Sequence, residues 1–390
     1  MLKDKKILLA VCGSVSFYKA YEILSHLKKL GADVRVMLSD GALKFTNPLS
    51  FEALTNHEIL SSVNEKWQEK LSHIEYAKCD LVLIAPASAN TINKYANGIA
   101  DTVFLQTLIA SDAPVIIAPA ANNKMLEHFT TQKSIEILKQ NGVSVIEPLT
   151  KILACGDLGK GALAEPKRII YEVKKALSKQ TLIGKKVVIT GGGTTEKIDD
   201  VRAITNHSSG KMSKALADAF YYAGADVTLL SHVSYEALPY PCHNFHDTKD
   251  LLDLCKQKCK DADLLIMSAA VSDYVSANDF NGKLKKSDLG EKWGLWLVKN
   301  IDILSELKAY KCKKIGFKLE TDKNTAISDA KATLNNKNLD AICLNIMSDS
   351  VIFGADMNEI TFITKNSQTL LSHDTKENLA KKIVELSGNL

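Results

Sequence analysis

Residues 5–12, KKILLAVC, followed at once by GSVS at 13–16, decide the fold class. A short apolar run behind a basic start reads as a strand buried on both faces. The next stretch, YKAYEILSHLKKL at 18–30, carries Ile23, Leu27 and Leu30 at helical spacing on one face. Gly31-Ala32-Asp33-Val34 then ends that helix and opens the strand VRVML. The same order returns later: KKVVIT at 185–190, glycines 191–193, a helix from about Lys211 to Ala223, and Gly224-Ala225-Asp226-Val227 opening VTLL. Each half of the chain therefore begins strand, turn, helix, strand.

A third strand follows in both halves, within AKCDLVLIAPASAN at 77–90 and KDADLLIMSAAVSD at 260–273. Continuous apolar strands separated by helical stretches predict parallel sheets covered by helices on both faces. The expected fold is thus α/β, with two Rossmann-like domains whose mainly parallel sheets are flanked by helices. The helix RIIYEVKKALSK at 168–179 closes the first half, and a boundary near residue 181 gives domains 1–181 and 182–390. Ligands in such sheets sit beyond the carboxyl ends of the strands. Those ends here are GSVS, PASAN, APAANN, GGGTTE and SAAVSD, the most Gly/Ser/Asn-rich places in the chain.

Composition narrows the class further. A chain of 390 residues with 46% apolar residues has enough material for more than one core. Its 49 basic and 45 acidic residues leave a net charge of +4, too small and too evenly spread to point to nucleic acid or an anionic membrane. The eight cysteines show no CxxC pair and no zinc-like spacing, which fits a reducing, cytoplasmic compartment. The N-terminus lacks an apolar signal core, and no run reaches the roughly 18–20 apolar residues that a membrane span needs.

Local motifs in the first half offer chemistry without fixing it. Gly13-Ser14-Val15-Ser16 precedes a helix, where N–H groups and hydroxyls suit a phosphate, although the spacing is not GxGxxG and a plain helix cap explains it as well. Pro86 to Thr91 allows a flat ring to approach closely and supplies Ser88, Asn90 and Thr91 as hydrogen-bonding groups. Asn122 and Asn123 stand at a strand end, where carboxamides suit a carboxylate or an amide. In ILACGDLGKGALAEP at 152–166, crowded glycines exclude a helix interior and place Cys155 on a turn or flap.

Taken together, GSVS with Tyr18-Lys19, SHIEYAKCDLVLIAPASANTINKYANGIADT, APAANNKM and LACGDLGKGALAEP resemble the flavin-dependent phosphopantothenoylcysteine decarboxylases across the whole first half. The resemblance implies a flavodoxin-like flavoprotein domain that binds FMN, with Ser14, Ser16, Ser39, Ser88 and Asn90 as cofactor-binding positions. It also implies His73 as the active-site histidine, Asn122 as the group holding the substrate carboxylate, and Cys155 as the flap acid. Decarboxylating a cysteine carboxylate directly would leave an unstabilised carbanion. Oxidation of the substrate thiol to a thioaldehyde creates the missing electron sink, and the enethiolate left after CO2 departs needs a proton on carbon. A thiol, titrating near 8.5 when unperturbed, suits that role. Two positions depart from the family pattern: Ala121 stands where methionine is common, and Gly161-Ala162-Leu163-Ala164 replaces Gly-Arg-Met-Ala, with Lys160 the neighbouring cation.

In the second half, Ile189 to Glu196 is glycine-rich but is no Walker loop, and Asn206 to Met212 opens a helix with two hydroxyls, a glycine and a lysine. Lys283, Lys285 and Lys286 form a positive strip shortly after Asp273, where cationic charge and a magnesium-holding carboxylate suit nucleotide chemistry. The stretches ITGGGTTEKIDDVRAITNHSSGKM, SAAVSDY, KLKK, GFKLET and LDAICLNIMSD resemble the phosphopantothenate-cysteine ligase domain. That resemblance implies CTP as the nucleotide, Mg2+, an acyl-cytidylate and capture by L-cysteine, so that 4'-phosphopantothenate becomes 4'-phosphopantetheine over the two halves. It implies Asn206 and Lys283 as catalytic and Ala269, Phe317 and Asn345 around the acyl intermediate and nucleotide, with Ile346 and Met347 departing from a more polar pattern; Asp273 is the carboxylate that suits the metal and the nucleotide. It further implies a homo-oligomer with trimeric flavin domains and paired ligase domains. Two other readings stay open: a related enzyme acting on a different acid, and a flavin-binding regulatory subunit whose decarboxylase has decayed.

Overall fold

The computed structural model describes residues 2–64, 72–152, 156, 158–278, 280–285, 289–347 and 354–390. The chain divides into two compact units, Met1–Ser178 and Lys179–Leu390.

In the first unit β1 (Lys6–Val11), β2 (Asp33–Leu38), β3 (Leu81–Ala87), β4 (Val115–Pro119) and β5 (Ser144–Val145) form one sheet in the order β2-β1-β3-β4-β5. All its pairings are parallel. This is the flavodoxin-like order, whose switch point lies between β1 and β3. Alternation along β1 feeds two cores. Ile7, Leu9 and Val11 pack with Ile23, Leu24 and Leu27 of the helix Lys19–Lys29 and with Ile169 and Val173 of Pro166–Ala176. Leu8, Ala10 and Cys12 pack the opposite way, with Ile92, Phe104, Leu108 and Leu138. Leu30, expected on the buried face, is only partly buried because it is the cap where the helix turns into Gly31. Beyond β5 an antiparallel hairpin, β6 (Leu149–Ile152) and β7 (Leu158–Ala162), leaves the sheet.

The second unit holds β8 (Lys186–Gly191), β9 (Thr195–Lys197), β10 (Ala203–Thr205), β11 (Asp226–Ser231), β12 (Cys242–Asn244), β13 (Leu264–Met267), β14 (Tyr274–Ser276), β15 (Leu297–Lys299), β16 (Lys313–Glu320), β17 (Ala341–Ile346), β18 (Met357–Thr364) and β19 (Gln368–Thr375). Its large sheet runs β12-β11-β8-β13-β16-β17-β18-β19. The first six strands are parallel in the Rossmann order, with the reversal between β8 and β13. The last two are antiparallel. Helices Thr248–Lys258 and Ala326–Asn336 cover one face, burying Leu251, Leu252, Cys255, Ala330 and Leu334 against Val188 and Leu265. The helices Lys211–Tyr222 and Lys376–Ser387 pack on each other and bury Leu216, Phe220, Leu379 and Ile383.

A repeated clasp explains why the two halves read alike. The Lys6 N–H donates to Asp80 Oδ2 at 2.8 Å, and Lys5 pairs with the same carboxylate at 3.3 Å. Asp263 receives the Lys186 N–H at 2.8 Å and pairs with Lys185 at 3.5 Å. Asp340 does the same for the Lys314 N–H at 2.8 Å and for Lys313 at 2.9 Å. An aspartate at the mouth of one strand thus satisfies the orphan donor at the start of its neighbour.

Candidate active sites

In the first unit the carboxyl ends of β1, β2, β3 and β4 converge on a cavity of about 1000 Å³. Ser14, Ser16, Ser39, Ser88, Asn90 and Asn122 all line it, so the switch point gathers six of the expected site residues. Three of them are placed as caps by local backbone chemistry. Ser14 caps the turn Val15–Tyr18 by accepting from the Ser16 N–H, and Ser88 caps Ala89–Ala96 by accepting from the Thr91 N–H. Asn122 caps Asn123–Glu127 through the Lys124 N–H at 2.9 Å. The loops after β1 and β2 touch so closely that a Cβ on Gly13 would lie 2.6 Å from the Gly41 carbonyl carbon. Phe104, Leu105 and Leu163 supply an apolar wall.

The hairpin β6–β7 closes one side of this cavity. Lys151, Ile152, Gly161, Ala162 and Leu163 line it, and the Ala121 N–H donates to the Gly161 carbonyl at 3.1 Å. Glu165 binds Lys151 at 2.5 Å and Lys19 at 3.2 Å, bridging the hairpin to the first helix. The Lys151 ammonium first, and Lys19 after it, hold the Glu165 carboxyl below its ordinary range against the opposing effect of burial. Cys155, expected on a flap between these strands, lies outside the described residues.

Two residues stand apart from this cavity wall. His73 sits half-buried in the short helix Ser72–Ala77 and does not line the cavity. Lys160, the cation beside the altered flap sequence, pairs with Glu147 at 2.6 Å; among the described residues of the hairpin, the cation that lines the cavity is Lys151.

In the second unit the loops after β8 and β13 are stitched together at the switch point. Thr190 Oγ1 accepts from the Ser268 and Ala269 N–H groups at 3.1 Å, and the Ala270 N–H donates to the Gly192 carbonyl at 2.8 Å. Side chains at the glycines would wreck this arrangement: a Cβ on Gly191 would lie 1.9 Å from Ser213 Oγ, and one on Gly193 2.4 Å from the Asn206 carbonyl oxygen. Two cavities open here. The larger, about 690 Å³, is lined by Asn206 to Ser213, Lys318, Asn345, Asn358 and Lys376 among others. The smaller, about 390 Å³, is lined by Ser272, Asn300, Asp302, Lys337 and neighbours. Ala269, Val271, Asp273 and Phe317 belong to both.

Asn206 donates from Nδ2 to the Val271 carbonyl at 3.0 Å, which fixes its carboxamide beside this shared wall. Asn345 lines the larger cavity only, and its Oδ1 is buried with no hydrogen-bond partner among the described residues, an acceptor in want of a donor. Lys376 is half-buried; burial first, then Lys211, pull its ammonium below the ordinary lysine range, with Asp356 opposing. Lys283 lies exposed and lines neither cavity, because its segment is pinned elsewhere: the Gly282 N–H donates to Asp200 at 2.8 Å and the Leu284 N–H to Asp199 at 3.2 Å. Asp273 stands alone as a candidate metal ligand, since among the described residues no three His, Cys, Asp or Glu side chains converge. Lys151, Lys376 and the Asn300–Asp302 wall stand in no recognisable sequence motif. Only Asp302 left a signal, as the cap of Ile303–Glu306.

Among the described residues no helix is long and apolar enough to cross a membrane. Residues 1–178 match the family profile described as Flavoprotein, and residues 182–388 match the DNA/pantothenate metabolism flavoprotein C-terminal domain. The chain is 40% identical to the coenzyme A biosynthesis bifunctional protein CoaBC of Bacillus subtilis, over 94% of this chain and 92% of that one. The protein of the same name from Haemophilus influenzae is 36% identical, over 98% and 97% respectively. A solved C-terminal domain of a coenzyme A biosynthesis bifunctional protein CoaBC, 30% identical, aligns with 53% of this chain and 96% of that one at a TM-score of 0.43. With a flavoprotein unit and a ligase-type unit in one polypeptide, matched from end to end by such relatives, the chain belongs to the coenzyme A biosynthesis bifunctional proteins, which combine phosphopantothenate-cysteine ligase and phosphopantothenoylcysteine decarboxylase activities.

Proposed function

We propose that residues 182–390 join 4'-phosphopantothenate to L-cysteine at the expense of CTP, and that residues 1–181 decarboxylate the product with FMN to give 4'-phosphopantetheine. The observation that carries the ligase half is the wall shared by the two cavities of the second unit. Activation brings two substrates together at one point, and Ala269, Val271, Asp273 and Phe317 are the point where two cavities meet. The nucleoside takes the smaller cavity and the acid the larger one. One carboxylate oxygen of the acid bonds to the α-phosphorus, the bond from that phosphorus to the bridging oxygen breaks, and pyrophosphate leaves with the electron pair. The amine nitrogen of cysteine then bonds to the acyl carbon, CMP leaves with the electrons of the C–O bond, and the amine proton passes to solvent.

Asn206 positions the acyl group beside Val271, and Asn345 Oδ1 accepts from the amide N–H of the acid. The Ala269 N–H is taken by Thr190, so Ala269 meets the ligand through its carbonyl or methyl group. Asp273 holds Mg2+ together with the phosphates, a pattern in which one carboxylate suffices. Lys283 enters only if its segment leaves the Asp199–Asp200 turn.

The first cavity fits FMN. Its polar donors are hydroxyls and carboxamides from Ser14, Ser16, Ser39, Ser88 and Asn90, its wall is apolar, and its volume accommodates a tricyclic ring with a phosphorylated tail. When bound there, the flavin supplies two-electron redox chemistry at the substrate thiol. Asn122 holds the substrate carboxylate until it leaves, the hairpin excludes water, and Cys155 delivers a proton to carbon. A role for His73 needs a contact other than this cavity wall. Trimeric flavin domains and paired ligase domains remain part of the proposal, supported by exposed Phe129, Ile152 and Leu158 in the first unit and by Trp296 in the second.

The test is a reaction containing 4'-phosphopantothenate, cysteine, Mg2+ and either CTP or ATP, followed for pyrophosphate, CO2 and thiol product. Turnover with CTP and formation of 4'-phosphopantetheine support the assignment; turnover only with ATP, or no turnover with this acid, overturns it.

A further inference from the structure

The larger cavity of the second unit has a cationic end that the ligation chemistry leaves unused. Lys211 opens the helix Lys211–Tyr222 and Lys376 opens Lys376–Ser387, so two packed helices each bring their first residue to the same cavity. Lys211 Nζ reaches Asp356 Oδ1 and the Gly354 carbonyl, both at 2.7 Å. Lys376 Nζ donates to the Ala355 carbonyl. Ammonium groups from separate elements thus face one short segment, and the only carboxylate among these contacts, Asp356, has a side chain 83% exposed. Each lysine lines the cavity while making these contacts. Neither belongs to the wall shared with the smaller cavity, where the acid is activated.

The direction of displacement decides which anion these lysines serve. In an in-line reaction the attacking oxygen and the leaving oxygen lie on opposite sides of the α-phosphorus. An acid seated in the larger cavity attacks from that side, so pyrophosphate departs away from it. The triphosphate tail therefore does not extend toward Lys211 and Lys376, whereas the end of the acid remote from its carboxylate does. That end carries a phosphate monoester, and lysine is a suitable point charge for such a group.

We infer that Lys376 and Lys211 form the subsite for the terminal phosphate monoester of the acid and are the residues that make the ligase select a phosphorylated acid over its unphosphorylated counterpart. The inference rests on the placement of the acid in the larger cavity. Substrate binding brings a dianion to two ammonium groups, one half-buried at Lys376 and one exposed at Lys211, that a single exposed carboxylate neutralises only in part. Asp356 gives way to the incoming phosphate, and the lysines exchange a weak surface ion pair for a charge-assisted one.

Steady-state ligation by the full-length chain tests this, with Lys376→Met and Lys376→Arg assayed by pyrophosphate release on 4'-phosphopantothenate and on pantothenate. Lys376→Met is expected to raise KM for 4'-phosphopantothenate roughly tenfold, to leave KM for CTP within about twofold, and to shrink the preference for the phosphorylated acid by the same factor. Lys376→Arg restores most of the preference. A rise in KM for CTP instead, or an unchanged preference between the two acids, overturns the subsite. A wild-type chain that fails to ligate 4'-phosphopantothenate at all refutes the underlying reading instead, so the two failures are distinct. Loss of activity from misfolding shows as an equal fall with both acids and a lowered melting temperature; Lys211→Met then repeats the comparison of preferences.

Discussion

Ala121 and Gly161 hold the hairpin against the flavin cavity: the Ala121 N–H donates to the Gly161 carbonyl at 3.1 Å, and a Cβ on Gly161 would lie 2.1 Å from the Ala121 carbonyl oxygen. Backbone meets backbone here, so no rotamer change relieves a clash. Gly161→Ala is expected to lift the hairpin off the turn that carries Asn122 and to slow decarboxylation by roughly 10- to 100-fold, since small misplacements of positioning groups cost that much. CO2 release measures it, and pyrophosphate release should stay at the wild-type rate.

The proton-donor role proposed for Cys155 separates the two halves of the decarboxylation. Cys155→Ser is expected to keep the flavin absorption and to release CO2 at a near-normal rate, but to accumulate the unreduced enethiol product, because serine is far too weak an acid to protonate carbon. Mass spectrometry of the products checks this. A variant that makes 4'-phosphopantetheine at the wild-type rate removes the thiol from the mechanism.

The role proposed for Asn206 belongs to the other reaction. Its carboxamide is fixed by the Val271 carbonyl at 3.0 Å, beside the shared cavity wall. Asn206→Ala should lower kcat for amide formation by roughly 10- to 100-fold while leaving CO2 release from supplied phosphopantothenoylcysteine unchanged. An equal loss of both activities would point to damage of the whole chain.

The Asp80 and Asp263 clasps make stability depend on acid pH. The backbone N–H of Lys6 first, with Lys5 after it, lowers the Asp80 carboxyl below its ordinary range, and the N–H of Lys186, with Lys185, does so for Asp263. A carboxylate lowered on folding adds stability above its unfolded pKa of about 3.9, and that stability is lost as pH falls through the lower folded value. Asp80→Asn and Asp263→Asn should each melt about 2 °C below wild type at pH 7, the small effect expected of exposed pairs. As the pH falls below about 3.9 the gap should narrow, closing below the folded value. A gap that is independent of pH would mean that the charge contributes nothing.

Much of this architecture is written locally. Apolar runs such as Ile7–Val11 and Val187–Ile189 announce buried parallel strands, and the small polar residues after them mark the ligand end of each sheet. Ser14, Ser88, Asn122 and Asn206 were readable because a cap or strand-end residue shows itself within a few positions. Lys151 and Lys376 were not, since a single exposed-looking lysine acquires meaning only from a remote element brought beside it. The antiparallel pair β18–β19 was missed for a related reason: Met357–Thr364 interrupts its apolar residues with polar ones and Gln368–Thr375 holds only Leu370 and Leu371 among polar residues, so both lack the continuous apolar signature of the central strands. Lys283 lies outside both cavity walls, and a charged strip next to a site motif gives no hint that the backbone on either side is tied to Asp199 and Asp200.

One chain is held to carry out consecutive reactions at separate pockets, and this is most directly tested by product stoichiometry. Full-length protein supplied with 4'-phosphopantothenate, L-cysteine, CTP and Mg2+ should release one CO2 for each pyrophosphate once the intermediate reaches steady state, with 4'-phosphopantetheine as the thiol product. Pyrophosphate without CO2, or CO2 only when phosphopantothenoylcysteine is made by another enzyme, would contradict it.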